Sequence, residues 1–162
     1  MTDMLVKLYD LPDLAPSLER MRAEGVDVRR GLAPEKHLVT AWVGEAFSPY
    51  WVSECEIAFA RQPVSCFVAV EDNRPIGFAC YDTTRRGVFG PTGVDEAARG
   101  RGIGVALLLL CLHDMVAQGY AYAVIGSAGP QDFYTRFAGA TPIPDSTPGM
   151  YRGMLRSPSA DE

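Results

Sequence analysis

A glycine-rich loop that leads from a short strand into a long apolar helix constrains the fold of this chain more than any other feature. The loop covers residues 94–104 and reads Val-Asp-Glu-Ala-Ala-Arg-Gly-Arg-Gly-Ile-Gly. The helix predicted over 103–118 is apolar almost all round, which is typical of a helix that other elements cover on every side. The chain is therefore expected to bury this helix, with the glycine loop at the helix N-terminus.

The glycine loop has the features of an anion-binding site. The first amides of a helix lack partners within the helix, and the helix dipole strengthens their attraction for an anion. Gly100, Gly102 and Gly104 carry no Cβ atoms, so a phosphate group can approach the main chain closely. Arg99 and Arg101 can add charge-assisted hydrogen bonds to phosphate oxygens. The loop is predicted to bind a pyrophosphate, and the alternative is a solvated turn with two surface arginines.

Neither of two common phosphate motifs fits this loop. A Walker loop requires Gly-Lys-Ser or Gly-Lys-Thr, and the sequence contains neither. The dinucleotide fingerprint is Gly-x-Gly-x-x-Gly, with an acidic residue about 20 positions further on. Here the spacing is Gly100-x-Gly102-x-Gly104, and the later region 122–125 contains no acid. Both motifs are therefore excluded.

Composition and charge place the chain among globular proteins. Apolar residues make up 48% of its 162 residues and charged residues 22%, which fits one domain over 1–162 with a sizeable core. The net charge of −5 argues against a generally basic nucleic-acid-binding surface. The N-terminus has no signal-peptide pattern, and the longest apolar run, 105–112, is far shorter than the ~20 residues of a membrane-spanning helix. No nucleic-acid or membrane partner is expected.

The four cysteines and two histidines show no metal-binding spacing. The cysteines are widely separated and form no Cys-x-x-Cys motif, so the sequence predicts no metal site. Free, mostly buried thiols in a reducing compartment are expected, and with them a cytoplasmic location. The cysteines are Cys55, Cys66, Cys80 and Cys111, and the histidines are His37 and His113.

Hydrophobic periodicity predicts alternating strands and helices. Strands are predicted at 4–9, 26–30, 66–70, 75–81, 88–94, 120–126, 141–143 and 150–155, helices at 13–24, 34–47, 51–61, 103–118 and 131–137, and a loose tail at 157–162. The strand at 88–94 contains Gly90, Pro91 and Gly93, which usually mark a bulge or an edge where another group approaches the backbone.

The sequence resembles the GNAT (GCN5-related N-acetyltransferase) superfamily at two places. Arg99, Gly102 and Gly104 match the acetyl-CoA signature of that family, which is Arg or Gln, two residues, Gly, one residue, and Gly or Ala. Phe133-Tyr134 and Gly139 resemble the aromatic-Tyr pair and glycine of a later short helix. The resemblance covers roughly 66–155, and the order of predicted elements agrees with it. The segment 1–25 is then an added strand and helix without an assigned role.

The resemblance implies an α/β fold with a mixed, mostly antiparallel sheet that is splayed at its centre and has helices on both faces. Acetyl-CoA, as co-substrate, would lie between the strands at 88–94 and 120–126. The residues expected to bind it are Thr92, Val94, Arg99, Gly100, Arg101, Gly102, Ile103, Gly104 and Ser127. A backbone N–H of the first strand would polarise the thioester carbonyl. Tyr134 corresponds to the tyrosine that donates a proton to the departing thiolate in many members, while ring packing with a simple hydrogen bond is the alternative.

The sequence departs from the family at the residue that removes the proton of the amine. Many members carry a glutamate on the strand that corresponds to 88–94, and this chain has no carboxylate there. Ser127 also stands where many members have Asn, and its hydroxyl can still donate one hydrogen bond. The candidates for the base, with a water chain as an alternative, are His37, Glu45, Glu54 and Asp82, and the candidates for the acceptor wall are Phe47, Tyr50 and Trp51.

The expected function is acetyl-CoA-dependent N-acetyltransfer to a primary amine of a small molecule, by direct attack of the amine on the thioester. A protein N-terminus or a lysine side chain is the alternative acceptor. A CoA-binding module without catalysis is the alternative from another class, because the strand carboxylate is missing. The sequence leaves the identity of the acceptor, the base and the formation of a homodimer open.

Overall fold

The computed structural model describes residues 1–158 as a seven-stranded sheet with helices against both faces. The strands are β1 (Met4–Lys7), β2 (Asp27–Arg30), β3 (Cys66–Glu71), β4 (Arg74–Tyr81), β5 (Val88–Val94), β6 (Tyr122–Ile125) and β7 (Thr141–Pro142). The helices are α1 (Ala15–Ala23), α2 (Lys36–Ala46), α3 (Pro49–Phe59), α4 (Ile103–Ala117) and α5 (Gln131–Ala138). The strand order is β2-β3-β4-β5-β6-β1-β7.

The sheet opens between β5 and β6. These two strands are parallel, and their register pairs Val88 with Val124 and Phe89 with Ile125. Beyond Phe89, the register between β5 and β4 shifts at a bulge, and the two strands then stay paired from Thr92 to Val94. The remaining neighbours in the sheet are antiparallel. The predicted α/β fold, with a mixed and mostly antiparallel sheet splayed at its centre and helices on both faces, is confirmed.

Alternating side chains divide the core into two parts. Along β3, Phe67 and Ala69 belong to the core cluster that contains α4, whereas Cys66 and Val68 belong to the cluster formed with α2 and α3. This division follows from the two-residue period of a strand, which sends successive side chains to opposite faces. The sheet is therefore buried on both faces over its central strands.

Helix α4 packs directly on the sheet, as its apolar sequence predicts. A Cβ atom added at Gly77 in β4 would lie 2.9 Å from Leu107 Cδ1 and 3.0 Å from Ile103 Cγ2. Both of these helix residues are almost completely buried. The close approach fixes where α4 begins relative to β4 and β5, and so fixes the position of the glycine loop.

The N-terminal strand lies inside the sheet. Strand β1 is antiparallel to both β6 and β7, with Met4 opposite Ile125 on one side and Pro142 on the other. A 3₁₀ turn at Leu8–Asp10 then replaces the end of the predicted strand at 4–9. The segment that the sequence marks as an addition therefore forms the neighbour of one of the two splayed strands.

The C-terminal segment differs from the prediction. The strand predicted at 150–155 is wrong, because Gly149–Tyr151 forms a 3₁₀ turn and Gly153 has a φ of +77°, which is incompatible with an extended strand. The predicted tail at 157–162 lies mostly outside the described residues. Among residues 1–158, none of the helices has the length and apolarity needed to cross a membrane.

Candidate active site

A groove of about 1890 Å³ opens where β5 and β6 separate. Its walls come from β5, the glycine loop, the start of α4, the turn after β6, and α5, with contributions from α1, α3 and the C-terminal segment. It brings together all of the residues predicted for the site except Arg101, and these are Thr92, Val94, Arg99, Gly100, Gly102, Ile103, Gly104, Ser127 and Tyr134. Residues far apart in sequence thus form one concave surface.

The glycine loop enters α4 through a left-handed backbone. Gly102 precedes the helix with a φ of +87°, and its carbonyl accepts the hydrogen bond from Ala106 N at 3.1 Å. A Cβ built at Gly100 meets no atom within 4 Å, so that position faces open space. At Gly100 and Gly102 the loop therefore presents the N-terminal turn of α4 to the groove without side chains of its own.

The two arginines of the loop have different surroundings. Arg99 lines the groove, and its Nε donates a hydrogen bond to Val94 O at 3.3 Å. Arg101 lies outside the groove and forms a two-pronged ion pair with Glu71, at 3.1 and 2.6 Å. Its Nε also approaches Glu24 at 3.5 Å. The charge of Arg101 is therefore already balanced by carboxylates, which differs from the sequence-based expectation that it faces a phosphate.

A cation from the N-terminal helix approaches the loop instead. Arg20 on α1 lines the groove, and its Nη1 lies 3.1 Å from the position of a Cβ on Gly102. Helix α1 is held there by Met21, which is buried in the core that contains α4. Sequence reasoning missed Arg20 because nothing in the local pattern of α1 indicates which distant loop the helix contacts.

The part of β5 beyond Phe89 supplies an edge to the groove. The Thr92 hydroxyl donates to Phe78 O at 3.1 Å, so the side chain of Thr92 is tied to β4. A Cβ at Gly93 would lie only 2.5 Å from Phe47 Cζ, which explains why this position has no side chain. From Thr92 to Val94 the main chain of β5 is paired with β4 on one side and faces the groove on the other.

The turn after β6 is anchored by the N-terminal segment. Ser127 has a φ of +45°, and its N–H donates to the Asp3 carboxylate at 2.8 Å. Ala128 N donates to Thr2 O at 2.9 Å. Asp3 is itself only 7% exposed. The turn that carries the predicted cofactor residue Ser127 is thus held in place by the residues immediately before β1.

Tyr134 lies on α5 at the wall of the groove. Its ring packs edge-on against Phe133 and Phe89, with centroid distances of 5.3 and 6.3 Å. Tyr134 is 6% exposed, and burial raises the pKa of its phenol to about 12. The phenol is therefore protonated at neutral pH, which is the form that a hydrogen-bond donor or general acid requires.

Of the four side chains considered as bases, Glu54 alone lines the groove. It lies on α3, accepts a hydrogen bond from the Thr84 hydroxyl, and has a pKa raised above the usual value by burial. His37 and Glu45 are exposed on α2. Asp82 is buried and already accepts hydrogen bonds from Tyr120 Oη at 2.5 Å and Gly87 N at 2.7 Å.

Aromatic side chains surround the same part of the groove. Phe47, Tyr50 and Trp51 all line it, and the rings of Phe47 and Trp51 are 5.0 Å apart. Phe47 and Trp51 also pack against the core residue Phe78, so they serve as a wall of the groove and as part of the core. Aromatic faces beside a carboxylate form an environment that suits an organic cation.

The comparisons with known proteins agree with this geometry. The sequence pattern of the family described as "Acetyltransferase (GNAT) family" matches residues 32–140, which is more than half of the chain. A comparison with curated proteins found no match.

Solved structures share the fold at low sequence identity. A glucosamine N-acetyltransferase region of a fungal multi-domain β-N-acetylglucosaminidase is 19% identical, with a TM-score of 0.71 over 88% of this chain and 19% of that chain. An N-acetyltransferase from Sphaerobacter thermophilus is 23% identical, with a TM-score of 0.65 over 88% and 48%. A family member from Brucella melitensis in complex with acetyl-CoA is 21% identical, with a TM-score of 0.52 over 73% and 86%. The chain thus spans less than half of the first two proteins.

The anchoring of the turn after β6 generates a prediction about stability. Replacing Asp3 with Ala leaves the half-buried Ser127 N–H without its acceptor, which costs about 1–3 kcal/mol in the free energy of unfolding. Urea unfolding measures the loss. The matched control is Asp10→Ala, since Asp10 is exposed and pairs only with Lys7 at the surface, and its change should stay within about 0.5 kcal/mol. Equal effects of the two substitutions would contradict the anchoring role of Asp3.

Proposed function

Because this chain belongs to the GNAT acetyltransferase family, we propose that it transfers the acetyl group of acetyl-CoA to a primary amine of a small molecule. The observation that carries the proposal is the groove between β5 and β6, which combines a glycine loop at a helix N-terminus with Tyr134 and with a carboxylate beside aromatic rings. These are the parts that binding a thioester cofactor, releasing its thiol and accepting a cationic amine require.

The glycine loop is the proposed site for the diphosphate of CoA. The N-terminal turn of α4 supplies backbone N–H groups and the positive end of the helix dipole. Arg99 and Arg20 line the groove beside it and add positive charge. The pantetheine would then extend along the free edge of β5 and bond the main chain near Thr92 and Val94. The Brucella melitensis relative, solved with acetyl-CoA, supports this choice of cofactor.

The reaction forms one C–N bond and breaks one C–S bond. The neutral amine attacks the thioester carbon, and a backbone N–H on the free edge of β5 stabilises the oxyanion of the tetrahedral intermediate. When the intermediate collapses, the CoA sulfur leaves with the bonding electron pair and accepts a proton from Tyr134. The ammonium ion gives one proton to the base before attack, and the base releases it to solvent. After attack the amine nitrogen gives up a second proton, which replaces the one lost by Tyr134, so the products are the acetamide, the CoA thiol and one released proton.

Glu54 is the proposed base. A primary amine reaches the groove mainly as its ammonium ion, whose pKa near 10 means that a proton must be removed before attack. The Glu54 carboxylate lies at the aromatic part of the groove, where it can attract the ammonium ion and accept the proton directly or through water. Its partial burial, which disfavours the charged carboxylate, strengthens it as a proton acceptor.

An assay of thiol release tests the proposed reaction. The protein is incubated with acetyl-CoA and a panel of amines that includes an amino sugar, a polyamine, an amino acid, an aminoglycoside and a peptide with a free N-terminus. The fungal relative described as a glucosamine N-acetyltransferase region is the reason for the amino sugar. Thiol release stimulated by a small amine supports the proposal. Stimulation by the peptide alone would favour a protein acceptor, and tight CoA binding without stimulation would favour a binding module.

Gly102→Val is predicted to raise the Kd for acetyl-CoA about tenfold or more, as measured by calorimetry. A tenfold change corresponds to a loss of about 1.4 kcal/mol in binding free energy. The branched side chain would occupy the approach to the loop beside Arg20, at a position with a φ of +87°. The matched control is Gly119→Val, which has a similar φ of +97° beyond the other end of α4 and no atom within 4 Å of its Cβ. Equal affinities for the two variants would show that the phosphates bind elsewhere.

Tyr134→Phe is predicted to lower kcat about 10²–10⁴-fold while leaving acetyl-CoA affinity nearly unchanged. The substitution keeps the ring that packs on Phe89 and Phe133 and removes only the proton donor. Steady-state thiol release gives kcat, and calorimetry gives the affinity. Phe133→Tyr, at the neighbouring position, is a control for polarity in the same aromatic cluster. Unchanged turnover in Tyr134→Phe would remove this phenol from the mechanism.

Glu54→Gln is predicted to lower kcat about 10²–10⁴-fold at saturating acetyl-CoA. The amide retains an oxygen that can accept the hydrogen bond from Thr84, so the local structure should persist while the proton acceptor is lost. Glu45→Gln is the same change at an exposed position of α2 and should leave kcat within a factor of about two of the unsubstituted protein. If both variants turn over at the same rate, Glu54 is not the base.

A further inference from the structure

Three of the four cysteines meet between α3 and the sheet. Cys55 comes from α3, Cys66 from β3 and Cys80 from β4, and each is 0% exposed. Their sulfur atoms all lie within 4.8 Å of one another, and Cys55 Sγ is 3.8 Å from Cys80 Sγ. Cys66 and Cys80 are directly opposite each other in the antiparallel register of β3 and β4. We call these three residues the sulfur cluster.

The spacing of the sulfur cluster suits an ion with three sulfur ligands. Three sulfur atoms placed about 2.3 Å from a central ion are about 4 Å from one another when the ion lies in their plane, and closer together when it lies above that plane, as a trivalent ion with a lone pair does. The sulfur atoms, which lie within 4.8 Å of one another, would therefore have to move closer together to bind such an ion. Thiolate sulfur is a soft ligand and selects soft, thiophilic ions over magnesium or calcium.

The surroundings of the sulfur cluster limit the charge of an occupant. The core cluster that contains it is otherwise built of aliphatic and aromatic side chains, namely Val39, Val43, Ala58, Phe59, Val64, Val68 and Phe78. Burying a net charge among such side chains is costly. Three thiolates around a monovalent or divalent ion carry net charges of about −2 or −1, whereas three thiolates around a trivalent ion are neutral.

We propose that Cys55, Cys66 and Cys80 form a three-sulfur site that binds trivalent arsenic, supplied as neutral arsenous acid. Three As–O bonds break and three As–S bonds form, and each thiol proton leaves with a hydroxide as water. The oxidation state of arsenic does not change, and neither the entering molecule nor the complex carries a charge. Entry requires α3 to move briefly away from the sheet, since the sulfur atoms are enclosed.

The proposal is tested by mass spectrometry on the full chain, reduced without thiol reagents and incubated with arsenite. The expected result is one arsenic atom per protein with the loss of three hydrogens. After denaturation and alkylation, peptide mapping should find Cys55, Cys66 and Cys80 protected and Cys111 modified. Cys111 is the internal control, because it is equally buried but lies in the other core cluster. The proposal is overturned if the unsubstituted protein binds no arsenic, or if Cys111 is protected from alkylation together with the other cysteines.

Single substitutions provide an independent check that does not depend on acetyl transfer. Cys55→Ala removes one ligand of the site. Loss of a residue that only hydrogen-bonds to a metal ligand typically weakens metal binding roughly 10–100-fold, so loss of the ligand itself should weaken arsenite binding by more than that. Cys111→Ala, a matched change at a buried cysteine, should bind as the unsubstituted protein does. Cd²⁺ should bind the unsubstituted protein more weakly than arsenite, because its trithiolate complex is anionic. Equal arsenite affinity in the two variants, or tighter binding of Cd²⁺, would refute the neutral three-sulfur site.

Discussion

The separation of β5 from β6 after Phe89 is the constraint on which the rest of the site depends, and it persists because each strand is held from outside. Strand β5 remains paired with β4 as far as Val94, across a bulge, and β6 is paired along its length with β1. Because β6 ends at Ile125, opposite Phe89, the inner edge of β5 beyond Phe89 is left for a ligand, while the outer edges of both strands are satisfied by main-chain hydrogen bonds. The proposed binding of pantetheine along this edge depends on neither strand being free to close the gap.

The N-terminal segment takes part in the site as well as in the sheet. Strand β1 supports β6, Asp3 accepts the hydrogen bond from Ser127 N, and α1 brings Arg20 beside Gly102. An addition at the start of the chain thus contributes one wall, one anchor and one cation to the groove. Arg20 and Arg101 both pair with Glu24, but Arg20 lines the groove, whereas Arg101 lies outside it and is also paired with Glu71.

Local patterns in the sequence were sufficient to predict the features that depend on neighbouring residues. The glycine loop, the buried helix α4 and the edge character of β5 all follow from short stretches, and the structure brings their residues together with Tyr134 in one groove. Periodicity does not encode tertiary contacts, and three features of the site depend on them. Arg101 pairs with Glu71, Arg20 approaches Gly102, and Asp82 is occupied by hydrogen bonds that exclude it as the base. The strand predicted at 150–155 failed for a local reason, since the sequence pattern does not reveal the positive φ of Gly153.

The register of α3 relates the acceptor end of the groove to the sulfur cluster. Ser48 begins the helix by accepting a hydrogen bond from Trp51 N at 3.4 Å, and this fixes which side chains face which way. Tyr50 and Glu54, four residues apart, then line the groove, while Cys55 enters the core. A rotation of α3 by one residue would carry the Glu54 carboxylate toward apolar side chains, at the cost of burying an unpaired charge. The apolar core that encloses the sulfur atoms therefore also helps to keep the proposed base in the groove.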